Sequence, residues 1–329
     1  MIEKKPTRDA YGEELVELGR ENPNIVVLEA DISKSTKTCY FAKEFPERFF
    51  NVGVAEQNEA MVAAGLASCG LIPFMSTYAV FGSMRCCEQI RTFICYTNLN
   101  VKIAVSHGGL TPGSDGVTHQ ATEDIGVLRS FPNLTIIMPT DFNMTKAAVR
   151  AAVNHIGPVY LRFTRDPVPV IYGKDMDFKI GRAIKLKEGK DVTIVSLGDM
   201  AWSSLQAAEV LEKDGISAEV IDMPTVKPVD EDAIIISARK TRAVVTIEDH
   251  QITGGLGSAV AEVLAENYPV PMKRIGLKNT FAQSGEYELL LKKYGLGIDD
   301  IVEASISVIK MKGYRHLTKI GDHRDYESK

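Results

Sequence analysis

The stretch Val101-Lys-Ile-Ala-Val-Ser106 is an apolar run of strand length, and it leads directly into a polar, glycine-rich segment that begins at His107. Runs of the same kind recur along the chain and alternate with segments whose apolar residues have helical spacing. Strands that alternate with helices predict crossover units around a parallel sheet, and uninterrupted apolar strands are typical of a sheet covered on both faces. The sequence therefore predicts an α/β fold with a mostly parallel sheet.

Two such series follow one another, which indicates two doubly wound domains. The predicted strands are 25–28, 101–106, 135–138 and 159–163 in the first series and 192–197, 218–221 and 243–247 in the second. The predicted helices are 10–20, 56–68, 82–93, 124–130, 141–154, 203–213, 231–240, 257–267 and 298–311. The stretch between the series contains two prolines and shows no clear period, so it is interpreted as a linker. We expect domain 1 at 1–165, the linker at 166–190, domain 2 at 191–312 and a polar tail at 313–329.

The composition narrows the range of functions. Hydrophobic residues make up 45% of the chain, charged residues 25%, and the net charge is -5, as in a soluble globular protein. The sequence shows no basic face of the kind that binds nucleic acid. Its longest apolar runs are far shorter than the about 20 residues that cross a bilayer. Residues 1–6 lack the apolar segment of a secretory signal, and five cysteines without a C-x-x-C pair favour a reducing compartment. We expect a cytoplasmic protein that binds neither nucleic acid nor membranes.

Candidate functional residues lie where ligands bind in open parallel sheets, just after the predicted strands. Asp31 and Arg165 each follow one of these strands. Glu56, in Asn51-Val-Gly-Val-Ala-Glu56, stands where a helix begins after a glycine turn. Taken alone, such an acid is also typical of a first helical turn, where the helix dipole stabilises it.

Two aromatic residues form a second candidate feature. The segment Phe74-Met-Ser-Thr-Tyr-Ala-Val-Phe81 places Tyr78 and Phe81 three positions apart, on one face of a helical turn. Rings so placed pack into a core or form a platform for a flat heteroaromatic ring.

The third feature is Ser106-His-Gly-Gly-Leu-Thr-Pro-Gly-Ser-Asp-Gly-Val-Thr-His-Gln120, called here the histidine loop (residues 106–120). It combines His107, Asp115 and His119 with several glycines. Such a segment is typical of a functional loop rather than of a core, although a solvated loop with incidental histidines has the same composition.

Together and in this order, the three segments resemble the pyrimidine-binding domain of transketolases, with a G-x-x-E acid, an aromatic stretch and an S-H-G-G…D-G-x-T-H loop. The resemblance covers residues 7–310 and is marked in the second domain by Glu248-Asp-His-Gln-Ile-Thr-Gly-Gly-Leu-Gly257. It implies the C-terminal half of a split transketolase, made of the pyrimidine-binding domain and the transketolase C-terminal domain, with thiamine diphosphate as cofactor.

The resemblance also implies roles for single residues. Glu56 is implied to hydrogen-bond the pyrimidine N1′ of the cofactor, Phe81 to stack on that ring, and Tyr78 and Asp31 to lie near it. The residues implied to bind the hydroxyls and carbonyl region of the donor sugar are His107, Asp115 and His119. A near-neutral pKa is expected to suit the two histidines to proton transfer. The residues implied to hold the terminal phosphate of the substrate are Arg8, Ser35 and Arg165.

Two departures from the family pattern limit these assignments. Gln57 follows the acid where many relatives have histidine. The spacing from Phe81 to the stretch that begins at Glu88 is slightly longer than in some relatives, so Met84 and Arg85 receive no role.

A complete transketolase carries a further N-terminal half, which binds the diphosphate through Mg²⁺ with a Gly-Asp-Gly…Asn motif. No Gly-Asp-Gly occurs in this sequence. The resemblance therefore implies that a separate diphosphate-binding subunit holds the metal, in a heterotetramer in which this chain also associates with itself.

The implied reaction transfers a two-carbon ketol unit from a ketose, by default a pentose-phosphate-pathway sugar phosphate, to an aldose. Two other functions stay open: the β subunit of a 2-oxo acid dehydrogenase, and a non-catalytic scaffold subunit. The two histidines and the aspartate of the histidine loop suit a polyhydroxylated substrate and favour the transketolase. Retention of Glu56 and both histidines argues against the scaffold.

Overall fold

The computed structural model describes residues 2–321, with side chains up to residue 312. The strands are β1 Lys4–Lys5, β2 Ile25–Glu29, β3 Phe49–Asn51, β4 Ile72–Ser76, β5 Lys102–Val105, β6 Thr135–Ile137, β7 Val159–Arg162, β8 Val168–Pro169, β9 Ile184–Lys187, β10 Val192–Ser196, β11 Ala218–Asp222, β12 Thr225–Lys227, β13 Val244–Gln251 and β14 Met272–Leu277. The helices are α1 Thr7–Glu21, α2 Ser33–Thr36, α3 Cys39–Glu44, α4 Glu56–Ser68, α5 Ala79–Met84, α6 Cys87–Gln89, α7 Asp124–Leu128, α8 Phe142–Asn154, α9 Met200–Lys213, α10 Glu231–Thr241, α11 Leu256–Asn267, α12 Tyr287–Lys293 and α13 Ile298–Gly321. Short 3-10 turns span Pro46–Arg48 and Gly113–Asp115, and a π-helical turn spans Ile90–Cys95.

Two mostly parallel sheets organise the chain. The first has the strand order β12-β6-β7-β5-β4-β2-β3 and is antiparallel only where β12 meets β6. The second has the order β14-β13-β10-β11-β9 and is antiparallel only at β9. The predicted α/β fold with two doubly wound domains is confirmed.

Alternate residues of a central strand enter different cores. Val27 of β2 belongs to a cluster with Leu15 of α1 and Val149 of α8, whereas the next residue, Leu28, belongs to a cluster with Ala60 of α4. All five residues of β2 are buried. Its first four residues, Ile25 to Leu28, are all apolar because helices cover both faces of the sheet.

The edge strand β12 ties the two domains together. It follows β11 of the second sheet, yet it pairs with β6 at the edge of the first. One buried cluster accordingly unites Ile136 of the first domain with Ile221 and Val260 of the second. The sequence pattern missed β12 because three residues between prolines show no period.

The segment predicted as a linker, residues 166–190, contains two strands. β8 pairs with β1, and β9 forms the edge of the second sheet beside β11. At the other end, α13 continues to Gly321, into the predicted tail, and residues 322–329 lie outside the described part of the chain. The domain bounds given above stay a prediction.

The predicted helix 82–93 is broken into α5, α6 and the π-helical turn. A π turn is wider than an α turn and is found frequently at functional sites. This turn begins after Glu88, so it does not account for the longer spacing between Phe81 and Glu88. No helix within residues 2–321 combines the length and the apolar character needed to cross a membrane.

A buried carboxyl group connects the two domains. Asp222, at the end of β11, accepts hydrogen bonds from Thr140 Oγ1 at 2.5 Å and from the Tyr172 hydroxyl at 2.7 Å. Burial raises the pKa of Asp222 to about 7, and the two hydrogen bonds oppose that rise. The folded state therefore binds a proton that the unfolded state releases at lower pH.

Because the pKa of Asp222 is raised, its protonated form stabilises the fold below the ordinary aspartate pKa, and this contribution is lost as pH rises to about 7. Between these limits one such group changes the unfolding free energy by up to about 1.4 kcal/mol per pH unit. We expect Asp222→Asn to remove this slope in thermal unfolding of the chain from pH 4.5 to 8. Asp214→Asn, at an exposed carboxylate, is the control; an unchanged slope in Asp222→Asn contradicts the assignment.

Candidate active site

The carboxyl ends of β2, β4, β5 and β7 bring four predicted site residues to one edge of the first sheet. Asp31 follows β2, Tyr78 follows β4, His107 follows β5 and Arg165 follows β7. The backbones of Asp31 and His107 have φ values of 65° and 67°, in the left-handed region that side chains other than glycine rarely adopt. Backbone strain of this kind is concentrated at functional sites.

Four rings from two of the predicted segments form one cluster. The Tyr78 ring lies 3.9 Å from the His107 ring and 5.7 Å from the rings of Phe81 and His119, measured between centroids. The Phe81 and His119 centroids are 5.5 Å apart. The structure thus brings together both aromatic residues and both histidines.

Glu56 lies beside this cluster, at the start of α4, and is only 5% exposed. Its Oε1 accepts a hydrogen bond of 2.7 Å from Arg85 Nη1. The Arg85 guanidinium also lies 3.9 Å from the centroid of the Phe81 ring. Glu56 and Phe81 therefore face the same flat cation, one by hydrogen bonding and the other by stacking.

The guanidinium of Arg85 shows what kind of group this pair accepts. It is planar, carries N–H donors at its edge and stacks on aromatic faces. An aminopyrimidine ring that is protonated on its ring nitrogen has the same properties. Glu56 and Phe81 thus fit the pyrimidine of thiamine diphosphate. A cleft of about 480 Å³, lined by residues 54–58 and by Arg85, opens next to them.

His107 differs electrostatically from what the sequence led us to expect. Its ring is buried, and its Nδ1 lies 2.8 Å from Ser106 Oγ. Burial, and then the charges of Arg8 and Arg165, lower the pKa of His107 to about 3. The expected near-neutral pKa is therefore wrong for His107, because its ring is buried and the positive charges of Arg8 and Arg165 are near. This ring stays neutral and is suited to hydrogen bonding rather than to delivering a proton.

His119 occupies the more accessible side of the ring cluster. It is half-buried, and its Nδ1 lies 2.9 Å from Thr118 Oγ1. Of the two histidines, it is the one that solvent reaches.

The residues expected to bind phosphate lie together behind His107. Arg8 Nη1 donates to the Ser35 carbonyl at 3.1 Å, and its Nε is buried without a hydrogen-bond partner among the described residues. Burial and the nearby Arg165 both lower the pKa of Arg8. The two guanidinium groups carry charged N–H donors of the kind that bind polyatomic anions, and each also lies near a carboxylate, with Arg8 Nε 3.9 Å from Asp9 Oδ1 and Arg165 Nη1 3.7 Å from Asp166 Oδ1. Binding of a phosphate here stays a prediction.

Asp115 and Asp31 border the site on opposite sides. Asp115 is exposed in the histidine loop, with Oδ2 3.9 Å from Arg165 Nε. Asp31 Oδ1 accepts from Asn51 Nδ2 at 2.9 Å, which ties it to the turn that leads into Glu56. Their contacts with a sugar and with the cofactor stay predictions.

Sequence reasoning missed one residue that packs against the histidine loop. Arg162 is fully buried in β7, where its Nε donates to Asp124 Oδ2 at 2.9 Å and its Nη2 to the Ala121 carbonyl at 2.7 Å. A Cβ on Gly108 would lie 2.8 Å from Arg162 Cγ, so the loop crosses directly over this side chain. The available signal was an arginine inside an otherwise apolar strand.

The glycine-rich turn of the second domain binds a carboxylate of the same chain. The backbone N–H groups of Leu256 and Gly257 donate to the Glu248 carboxylate at 2.7 and 2.8 Å. Glu248 thus caps the N-terminus of α11, where an anion would otherwise bind. Among the side chains described, no group of three or more His, Cys, Asp or Glu is arranged to hold a metal ion.

Comparisons with known proteins identify the family of the chain. Residues 3–170 match the family model "Transketolase, pyrimidine binding domain", and residues 181–301 match "Transketolase, C-terminal domain". A putative transketolase C-terminal section from Methanocaldococcus jannaschii is 46% identical over 93% of this chain and 97% of its own length. A 6-deoxy-6-sulfo-D-fructose transketolase subunit from a Clostridium species is 41% identical over 95% of this chain and 98% of its own. A solved structure described as "Split gene transketolase, inactive beta4 tetramer" has 52% identity and a TM-score of 0.88, and the match covers 93% of this chain and 99% of the other.

The fold is that of the pyrimidine-binding part of thiamine-diphosphate enzymes. Within that class, the chain belongs to the transketolase family and corresponds to its C-terminal section. The family resemblance drawn from the three sequence segments is therefore confirmed, and thiamine diphosphate is the cofactor that the family implies.

Proposed function

We propose that this chain is the C-terminal subunit of a two-subunit transketolase that transfers a two-carbon ketol unit from a ketose with an anionic terminal group to an aldose. The observation that carries the proposal is the convergence of Glu56 and Phe81 on one flat cation beside Tyr78, His107 and His119. The cleft combines a place for a pyrimidine with hydrogen-bonding groups for a sugar.

Each residue has a task that its surroundings allow. The Glu56 carboxylate would accept a hydrogen bond from the protonated ring nitrogen of the pyrimidine, and Phe81 and Tyr78 would hold the ring by stacking. When bound, thiamine diphosphate supplies the nucleophilic carbon to which the ketol unit is transferred. Neutral His107 hydrogen-bonds the donor sugar, and accessible His119 takes up and returns the proton of a reacting hydroxyl.

Arg8 and Arg165 select the donor ketose by its terminal anionic group. Arg8 and Arg165 offer charged N–H groups to a phosphate, and Ser35 lies in contact with Arg8. A sulfonate has the same tetrahedral arrangement of anionic oxygens, and one relative is named for a sulfonated fructose. The site therefore suits a phosphorylated ketose and can accommodate a sulfonated one.

A partner subunit completes the proposed enzyme. The chain contains no Gly-Asp-Gly motif, and the solved relative made of β chains alone is described as inactive. We assign Mg²⁺ and the diphosphate to this partner, in a heterotetramer of both kinds of chain. Size-exclusion chromatography of this chain with a Gly-Asp-Gly-containing partner should show the complex, and Mg²⁺-dependent turnover by this chain alone would refute it.

The substrate class is tested in the reconstituted complex. Xylulose 5-phosphate with ribose 5-phosphate should react, whereas pyruvate with a dye acceptor should not. Oxidation of pyruvate would instead support the β subunit of a 2-oxo acid dehydrogenase, and no reaction with any ketose would support the scaffold.

Arg85 makes a further expectation possible. Its half-exposed guanidinium contacts Glu56 and the Phe81 ring, which are the two groups that the pyrimidine would contact. The Arg85 side chain therefore has to move when the cofactor binds. Removing its ion pair and its cation–π contact should tighten thiamine-diphosphate binding by about tenfold in Arg85→Ala. Cofactor titration of the reconstituted complex measures this.

Arg91→Ala, at an exposed arginine on the following turn, serves as the control for Arg85→Ala and should leave cofactor affinity unchanged. Weaker binding in Arg85→Ala would mean that Arg85 holds Glu56 in the bound state as well.

A further inference from the structure

A carboxylate of the second domain contacts the backbone of the histidine loop. Asp249, in β13, is 1% exposed, and its Oδ2 accepts a hydrogen bond of 2.8 Å from the Leu110 backbone N–H. The Leu110 side chain is buried in the core of the second domain. The loop that starts at His107 is thus held by the other domain through both the backbone and the side chain of one residue.

The contact leaves no space between the carboxylate and the loop. Gly109 has a φ of +62°, and a Cβ there would lie 2.1 Å from Asp249 Oδ2. The Gly109 N–H donates to the Ala121 carbonyl at 2.8 Å. Arg162 Nη2 bridges that same carbonyl and the Asp249 carbonyl, at 2.7 and 3.1 Å. Both ends of the loop therefore converge on Asp249.

The environment of Asp249 is unfavourable for a purely structural residue. Tyr287 donates to Asp199 and lies 3.4 Å from Asp249 Oδ2, so two carboxyl groups share one buried hydroxyl. Burial, and then the nearby Asp199, raise the pKa of Asp249. Oδ1 of each aspartate is buried and has no hydrogen-bond partner among the described residues. Burying polar atoms without partners costs stability, and an apolar side chain would avoid that cost.

We propose that Asp249 is a positioning residue of the active site, which fixes the backbone of the histidine loop through Leu110 so that His107 and His119 face the donor sugar. The role assigned to the loop rests on the function proposed above. The second domain then contributes to substrate binding through this contact with the loop.

Hydrogen–deuterium exchange of the full chain tests the positioning without any activity. In Asp249→Ala, amides between residues 108 and 121 should exchange about tenfold faster, because the loop loses a buried hydrogen bond. Asp249→Asn keeps an acceptor oxygen and should restore most of the protection. Asp191→Ala is the matched control, since it removes a carboxylate that accepts the Ser217 N–H at 2.8 Å within the second domain.

Kinetics of the reconstituted enzyme give the second readout. Asp249→Ala should raise KM and lower kcat/KM for the donor ketose by about tenfold or more, with an unchanged Kd for thiamine diphosphate, and Asp249→Asn should recover most of the loss. Unchanged exchange in residues 108–121, or an equal loss of cofactor affinity, overturns the proposal.

Two safeguards keep these outcomes separate. If Asp249→Ala does not fold, Gly109→Ala disturbs the same contact from the loop side and should give the same exchange pattern; protection as in the wild type overturns the proposal. If the wild-type complex transfers no ketol unit, the proposed function fails, while the exchange experiment still decides whether Asp249 holds the loop.

Discussion

Glu56→Ala will lower kcat of the reconstituted enzyme by about 10³-fold, because it removes the acid that hydrogen-bonds the pyrimidine nitrogen and promotes proton transfer within the cofactor. Assembly with the partner should be intact, since the side chain points into the cleft rather than towards the exposed surface. Turnover with a ketose phosphate and an aldose, together with size-exclusion chromatography, measures both effects.

The chain contains a closely matched control for Glu56→Ala. Glu14 is also a nearly buried glutamate paired with a half-exposed arginine, at 2.5 Å from Arg150 compared with 2.7 Å for Glu56 and Arg85. Glu14→Ala removes an equivalent ion pair far from the cleft, so it should lower the melting temperature and leave kcat nearly unchanged. Equal losses of turnover in the two variants would show that Glu56 matters for stability and not for chemistry.

Arg8→Ala will raise KM for a phosphorylated ketose by about 10- to 100-fold, because it removes a charge-assisted contact with the terminal anion. KM for the corresponding unphosphorylated ketose should change little. The ratio of the two KM values is therefore the informative quantity, and it is insensitive to a loss of folded enzyme.

Arg20→Ala is the control for Arg8→Ala, since Arg20 lies on the same helix, is half-exposed and pairs with Glu17 and Glu44. It should leave both KM values unchanged. An equal rise in KM for phosphorylated and unphosphorylated donors in Arg8→Ala would place the anion elsewhere.

Much of the architecture could be predicted because local pattern and tertiary environment agree. The central strands are apolar on both faces, and α4 begins at Glu56 as expected. Strands of two or three residues at sheet edges, such as β3 and β12, carry too few residues to show a period and were missed. The longer strands β4 and β14 were missed as well.

The candidate site divides in the same way. Glu56, Phe81 and the histidines were found because they lie in segments with a recognisable order. The positions of Arg85 and Asp249 were not. Arg85 follows the end of α5, inside a segment that was predicted as one continuous helix, and Asp249 depends on a contact between residues 139 positions apart. The pKa of His107 likewise depends on how deeply its ring is buried, which no sequence pattern reports.

The strand β12 follows a strand of the second sheet and completes the edge of the first, so the first sheet depends on the second domain. A polypeptide that stopped after the first domain would leave β6 as an open sheet edge, ready to pair with another molecule. Recombination between relatives that exchanged only the second domain would also replace β12, a strand of the first sheet. The second domain thus covers the sheet edge at β6 and protects the first domain from pairing with other molecules there.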